Sequence, residues 1–286
     1  MCQKNISTII ERNHVNIIGL GEQVIMIAHG FGCDQTTWRF LTDAFLKDYK
    51  LILFDYVGCG LSDISEYDYH KYSTLDGYAC DVLDIIEALK LKGIIFIGHS
   101  VSGMIGMLAA LQKPELFEKL IFIGASPKYI NSNQYFGGLE RDQVEELFTF
   151  MSNDYLGWAK HTVPEVMQNS DHPEFAQVLL EAFEAMNPKM ALAFAKATFN
   201  CDYRDRLKEL TVPSVSLQAT GDLISCESVG NYIKRHTPHN AMHMMNATGH
   251  YPHISAPEET IKAIKSYIEP DSKQGDKIKD ARLQSV

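Results

Sequence analysis

The stretch from residue 94 to residue 111, IIFIGHSVSGMIGMLAAL, constrains the fold more than any other part of the chain. It opens with four consecutive large apolar residues, passes through a cluster of small ones, and continues as a run that is apolar nearly all round. A strand without polar alternation must be covered on both faces, and a helix without a polar face must lie at the centre of a fold. Direct passage from one to the other predicts a parallel strand feeding a buried crossover helix. Similar short apolar runs recur at 24–28, 51–54, 120–123, 212–217 and 241–245. The fold class is therefore α/β, with a mostly parallel sheet wound on both faces.

Between two of these runs, Thr74 is placed to cap a helix whose Leu75, Tyr78, Ala79, Val82, Ile86 and Leu89 fall mostly three and four apart. Residues 6–12 and 15–18 read as an opening hairpin around Asn13 and His14. From about 133 to 206 no strand signal appears. Four helical segments follow instead, separated by Asn153-Asp154, Asp171-His172-Pro173 and Asn187-Pro188, where proline suits a first helical turn. The strand–helix pattern then resumes. The expected organisation is a core of residues 1–128 and 207–270, a helical insertion at 129–206, and a polar C-terminal tail at 271–286.

Composition narrows the function classes. Lys and Arg number 26 against 36 Asp and Glu, a formal charge of −10, which disfavours a partner carrying a phosphate backbone. Hydrophobic residues at 45% are enough to build a large core. The six cysteines form no Cys-x-x-Cys pair and no zinc spacing with histidine, so reduced thiols and no metal are expected. No apolar run reaches the roughly 18 residues of a membrane span, and the N-terminus lacks a secretory apolar region. A cytoplasmic protein that does not bind membranes is expected, with no cofactor.

The chemistry concentrates in Gly98-His99-Ser100-Val101-Ser102, which has the form of a nucleophile elbow. In that turn the central serine projects above the sheet, and only small residues at two positions before and after it let strand and helix approach. Ser102 departs from the strict glycine pattern by one hydroxymethyl group. Taken alone, the segment also fits an ordinary turn with Ser100 as a helix cap. A serine nucleophile needs a histidine base oriented by a carboxylate. Asp222 follows the strand at 212–217 and His250 follows the strand at 241–245, so both lie beyond the C-terminal ends of parallel strands. The chain order Ser100, Asp222, His250 makes coincidence the poorer account. The turn HGFG at 29–32 can present the Phe31 amide to an oxyanion, with the Val101 amide as the second donor. His99 and His253 read as hydrogen-bonded structural histidines, Asp34 as a helix cap, and Asp55 as a shaper of a strand-end loop. Serine rather than aspartate at the elbow sets aside dehalogenase and epoxide-hydrolase chemistry, and no Gly-x-Gly-x-x-Gly follows the first strand to suggest a dinucleotide.

The segments RNHV (12–15), HGFGCDQ (29–35), LFDYVG (53–58), YSTLDGY (72–78), GHSVS (98–102), SP (126–127), GG (137–138) and GHYPHIS (249–255) together resemble the α/β-hydrolase superfamily. They are most similar to the RsbQ group and the plant karrikin and strigolactone receptors. The resemblance spans nearly the whole chain. It implies an α/β-hydrolase fold with an eight-stranded, mostly parallel sheet and a lid of four helices over a deep apolar pocket. Carried over by position, Tyr129, Trp158, Phe194 and Phe199 would bind substrate beside Phe31 and Val101. Phe136 and Leu139 depart from the relatives' pattern around Gly137-Gly138, so the ligand does not transfer with the fold. Two functions follow from the resemblance. One is a serine hydrolase of small apolar esters, lactones or butenolides acting through an acyl-enzyme. The other is a hydrolase-derived sensor that regulates a protein partner, in RsbQ a phosphatase of a stress-response sigma-factor pathway.

Overall fold

The computed structural model describes residues 6–269. Seven strands form one sheet: β1 (Asn16–Ile18), β2 (Gln23–Ala28), β3 (Tyr49–Leu53), β4 (Ile94–His99), β5 (Phe117–Ile123), β6 (Ser214–Thr220) and β7 (Asn240–Thr248). Their spatial order is β1-β3-β2-β4-β5-β6-β7. Only β1 runs antiparallel to its neighbour β3, and all other pairs are parallel. The helices in chain order are α1 (Ile6–Arg12), α2 (Arg39–Thr42), α3 (Leu75–Ala88), α4 (Val101–Gln112), α5 (Arg141–Asn153), α6 (Tyr155–Met167), α7 (Pro173–Ala185), α8 (Pro188–Phe199), α9 (Glu227–His236), α10 (Pro252–Ser255) and α11 (Pro257–Ile268). The polar tail expected at 271–286, and Cys2, lie outside the described residues.

Strand alternation explains the unbroken apolar runs. Met26, Ala28, Phe96, Leu120 and Phe122 point to the face packed by α3, α4 and α9. Ile25, Ile27, Ile95, Ile97, Ile121 and Ile123 point to the opposite face, covered by Trp38, Leu41 and Phe45 and by Ala263, Ile264 and Ile268 of α11. Every residue of β4 is buried. Each large side chain buried this way contributes about 1.5–3 kcal/mol. Helix α4 is buried along nearly its whole length, as its lack of a polar face requires.

The expected hairpin is half right. Residues Asn16–Ile18 form a strand, but Ile6–Arg12 is helix α1, so the sheet has seven strands among the described residues and not eight. The cause is tertiary. The buried Arg12 guanidinium reaches Asp81 at 3.0 Å and Asp84 at 2.9 Å on α3, which docks the segment against that helix and away from the sheet edge. Tyr72 also donates to Asp81, at 2.7 Å, and Lys71 pairs with the same carboxylate. Thr74 occupies the N-cap position of α3 with extended backbone, yet its side chain caps no helix amide. Helices α5 to α8 stand between β5 and β6, where the four helical segments were expected.

The parallel strands all deliver their C-terminal ends to one edge of the sheet. There β2 leads into His29–Phe31, β4 into Ser100, β6 into Asp222 and β7 into His250. That common edge places four segments, distant in sequence, around one point.

Candidate active site

Ser100 joins β4 to α4 with φ 54° and ψ −124°, a conformation that L-residues rarely adopt. Two backbone bonds hold it there: the Ser100 amide donates to the Ile123 carbonyl at 2.8 Å, and the Gly103 amide donates to the Ser100 carbonyl at 3.0 Å. The turn leaves no room at Gly98, where a Cβ would stand 2.4 Å from the Ser102 carbonyl oxygen. Ser102 fits because its hydroxyl is used: it donates to the His29 carbonyl and lies 2.9 Å from the Tyr56 hydroxyl. The departure from glycine therefore adds a tie between the elbow and the turn after β2.

His250 Nε2 lies 2.8 Å from Ser100 Oγ, and His250 Nδ1 lies 2.8 and 3.0 Å from the two Asp222 oxygens. Asp222 Oδ1 also accepts from the backbone amides of Ile224 at 2.8 Å and Ser225 at 2.9 Å. A carboxylate surrounded by donors accepts only, so the imidazole proton sits on Nδ1 and Nε2 is free to accept from Ser100. All three side chains are buried. The arrangement can remove a proton from the serine hydroxyl while a fixed negative charge faces the far side of the ring.

The two amides expected as oxyanion donors belong to Val101 and Phe31. Val101 is the first residue of α4, so its amide has no partner within the helix. Phe31 lies in the glycine-rich turn after β2, which the Cys33 amide closes by donating to the Gly30 carbonyl at 3.3 Å. His29, a residue without an assigned part in the sequence reading, pins this turn. Its Nε2 accepts from the Tyr56 amide at 3.2 Å, which leaves the proton on Nδ1 to donate to the Gly30 carbonyl at 2.9 Å. Gly30 must lack a side chain, since a Cβ there would meet His99 Nδ1 at 2.4 Å.

His99 donates from Nε2 to the His250 backbone carbonyl at 2.8 Å. His253 differs from its expected role: both its ring nitrogens are without a partner, and the ring stacks on Trp38 at 4.4 Å between centroids. Burial drives both histidines toward the neutral form, His99 well below its ordinary value and His253 to about 3. Asp34 caps its turn through the Thr36 amide, and Asp55 accepts from the Gln35 and Leu61 amides, as expected.

A cavity of about 50 Å³ opens onto Ser100 and His250. Of the residues expected to bind substrate, Tyr129, Trp158 and Phe199 line it, together with Phe31 of the expected oxyanion pair. Phe194 does not. Its ring stacks on Tyr78 at 4.4 Å and stands edge-on to Phe31 at 5.6 Å, one layer behind the wall. Phe183 of α7 takes a wall position that the sequence reading missed: a Cβ at Gly32 would lie 1.8 Å from its ring, so the helix rests on the turn after β2. Thr162, Val166 and Thr198 also face this space, from α6 and α8. These were legible only as members of helices, with no signal for the face they present. Among the described residues no three His, Cys, Asp or Glu side chains are grouped to hold a metal ion, and no helix is long and apolar enough to cross a membrane.

Residues 23–257 match the sequence profile of the alpha/beta hydrolase fold. The chain belongs to the α/β-hydrolase family. Karrikin insensitive 2 receptor CA of Petunia hybrida is 35% identical to this hydrolase over 266 residues, 91% of this chain and 97% of that protein. Strigolactone esterase D14 of Arabidopsis thaliana is 33% identical over 93% of this chain and 98% of its own. The structure of a hydrolase from Oleispira antarctica superposes with a TM-score of 0.91 at 36% identity, covering 94% of this chain and 98% of that one. This α/β hydrolase is thus related to plant receptor hydrolases, as its sequence segments indicate.

Proposed function

We propose that the protein is a serine hydrolase of small, mostly apolar esters or lactones, butenolides included, working through an acyl-enzyme. Ser100 attacks the carbonyl, and His250 takes its proton at Nε2. The Phe31 and Val101 amides bind the oxyanion, and Asp222 holds the imidazole in the accepting tautomer and faces the imidazolium that forms. His250 then returns the proton to the leaving oxygen, and the same steps with water release the acid. The observation that carries this reading is the unbroken line from Asp222 through His250 to Ser100 at 2.8 Å per contact, ending at a serine held with positive φ. The two carboxylate-amide bonds at Asp222 and the pinned turn at His29 support it, because both fix geometry before substrate arrives. Residues 129–206 act as the lid, the rest of the described chain as the core. The small cavity selects compact ligands, and larger ones require Phe183 to move.

Similarity to proteins named karrikin receptors favours a second reading, a member of the group that includes RsbQ in which slow turnover of a small ligand switches a protein partner. One time course separates them. A chromogenic short-chain ester and a fluorogenic butenolide are incubated with the protein and with Ser100→Ala. Many turnovers, absent in Ser100→Ala, are expected of the enzyme. A burst of one equivalent followed by very slow release identifies the sensor. Equal release by Ser100→Ala overturns both.

A further inference from the structure

Helix α6 of the lid ends against the two loops that carry His250 and Asp222. The Val166 carbonyl accepts from the His250 amide at 3.0 Å, so lid backbone bonds directly to the base residue. Gln168 donates from Nε2 to the carbonyl of Gly221, the neighbour of Asp222, at 2.8 Å. Asn169 donates from Nδ2 to the Thr248 carbonyl at 3.2 Å and to the Met167 carbonyl of its own helix end at 2.9 Å. Gly249, between Thr248 and His250, passes so close that a Cβ there would meet the Met167 carbonyl oxygen at 2.3 Å. The two loops are also joined to each other, since the Gly249 amide donates to the Thr220 carbonyl at 3.1 Å. Residues 166–169 therefore close a ring of backbone and side-chain contacts around the carboxylate–imidazole pair.

The segment that closes this ring is strained. Gln168 has φ 55° and ψ −145°, and Asn169 has φ 55°. Among the described residues they are the only adjacent pair of non-glycine residues with positive φ, and Gln168 shares its region of backbone space with Ser100 at φ 54° and ψ −124°. Glycine is the default residue for such backbone at a helix end. A residue with a Cβ persists there only where its surroundings over-determine the conformation. Here the two side-chain bonds, to Gly221 and to Thr248, supply that constraint. Neither side chain is part of the cavity wall, so neither is placed to hold a ligand. We infer that Gln168 and Asn169 are positioning residues: the strained end of a lid helix braces the Asp222 and His250 loops against each other and keeps the imidazole in line with Ser100. The inference rests on the proposed triad and makes the lid part of what assembles it. Such a brace acts on the chemical step, where a displacement of about 1 Å costs on the order of a hundredfold in rate.

Glycine at both positions separates bracing from mere docking of the lid. The double variant Gln168→Gly, Asn169→Gly removes both side-chain bonds and relieves the backbone, so its melting temperature is expected to hold or rise. Activity is expected to move the other way: kcat for 4-methylumbelliferyl butyrate falls at least tenfold, while KM stays within about twofold. Gln168→Met keeps the strain and the side-chain length but lacks the donor; it is expected to lose a share of kcat, and it reads the same bond should the double variant fold poorly. Unchanged kcat, or an activity loss that tracks a lower melting temperature, overturns the inference. Proton NMR reads the brace without turnover. The Nδ1 proton of His250, held between the ring and Asp222, gives a downfield resonance identified by its loss in His250→Ala. A sharp signal is expected in the wild type, and a broadened or absent one in the double variant. That change in a protein without Ser100-dependent hydrolysis supports the brace and sinks the hydrolase reading alone. No such resonance in the wild type, or the same one in both proteins, overturns the brace.

Discussion

Replacing Asp222 by asparagine tests the electrostatic half of the site without emptying it. Asp222 Oδ1 accepts two backbone amides, at 2.8 and 2.9 Å, so the asparagine oxygen is expected to take that position and keep both bonds. The amide nitrogen then falls at the Oδ2 position, 2.8 Å from His250 Nδ1. Two donors cannot face each other. His250 Nδ1 must become the acceptor, its proton moves to Nε2, and Nε2 now points a hydrogen at Ser100 Oγ from 2.8 Å. The base is lost while the shape survives. Removal of this role lowers kcat by about 10⁴ in triads of this type, equivalent to roughly 5.4 kcal/mol of barrier at about 1.36 kcal/mol per tenfold. The assay is steady-state hydrolysis of a short-chain umbelliferyl ester, with thermal unfolding recorded on the same samples. The melting temperature should stay within about 4 °C of wild type, the shift that ~1 kcal/mol produces in a chain of this size. Retention of more than a tenth of the activity would refute the tautomer argument. So would an activity loss that merely tracks loss of folded protein.

Three other substitutions probe the supports. Gly98→Ala puts a Cβ 2.4 Å from the Ser102 carbonyl and must open the elbow, so soluble yield and Ser100-dependent activity should fall together; full activity in a purified Gly98→Ala protein would show the turn to be adaptable. Ser102→Ala removes the bonds to the His29 carbonyl and the Tyr56 hydroxyl, leaving buried groups unpaired at about 1–3 kcal/mol, a melting point several degrees lower by calorimetry, and no change would mean those bonds contribute nothing net. The third concerns acid. His253 titrates near 3 when folded and near the ordinary ~6.5 when unfolded, so between those values the unfolded chain binds more protons and stability falls as pH falls. His253→Phe preserves the stack on Trp38, and its melting temperature should decline less steeply from pH 6.5 to 4 than that of wild type; parallel profiles would exclude His253 as a source of acid lability.

Much of this architecture is visible in the chain because the central strands lack alternation. Ile94 to Ile97 can only be covered on both faces, and the all-apolar run after Ser100 can only be a central helix, so β4 and α4 follow from pattern alone. Asp222 and His250 were legible for a related reason, since each comes a few residues after an apolar strand. What pattern does not carry is long-range pairing. The segment from Ile6 to Arg12 reads locally as one arm of a hairpin, and it is helix because Arg12 meets Asp81 and Asp84 on a distant helix. The part played by His29 depends on the Tyr56 amide, and that of Ser102 on the Tyr56 hydroxyl, neither of which neighbours it in sequence. Phe194, expected in the pocket by resemblance, is drawn behind the wall by Tyr78, while Phe183 takes a place on the wall because Gly32 leaves room for its ring. Aromatic residues announce that a helix is amphipathic, not which neighbour fills the space in front of it.

The central claim is that Ser100 is the nucleophile and that His250 makes it so. A fluorophosphonate probe, which bonds covalently to an activated serine, tests this directly when the labelled protein is digested and its peptides are mapped. The account predicts one phosphonylated residue, Ser100, with labelling that slows by orders of magnitude in His250→Ala and vanishes in Ser100→Ala. Label on a different serine, or labelling of Ser100 at an unchanged rate without His250, would contradict it.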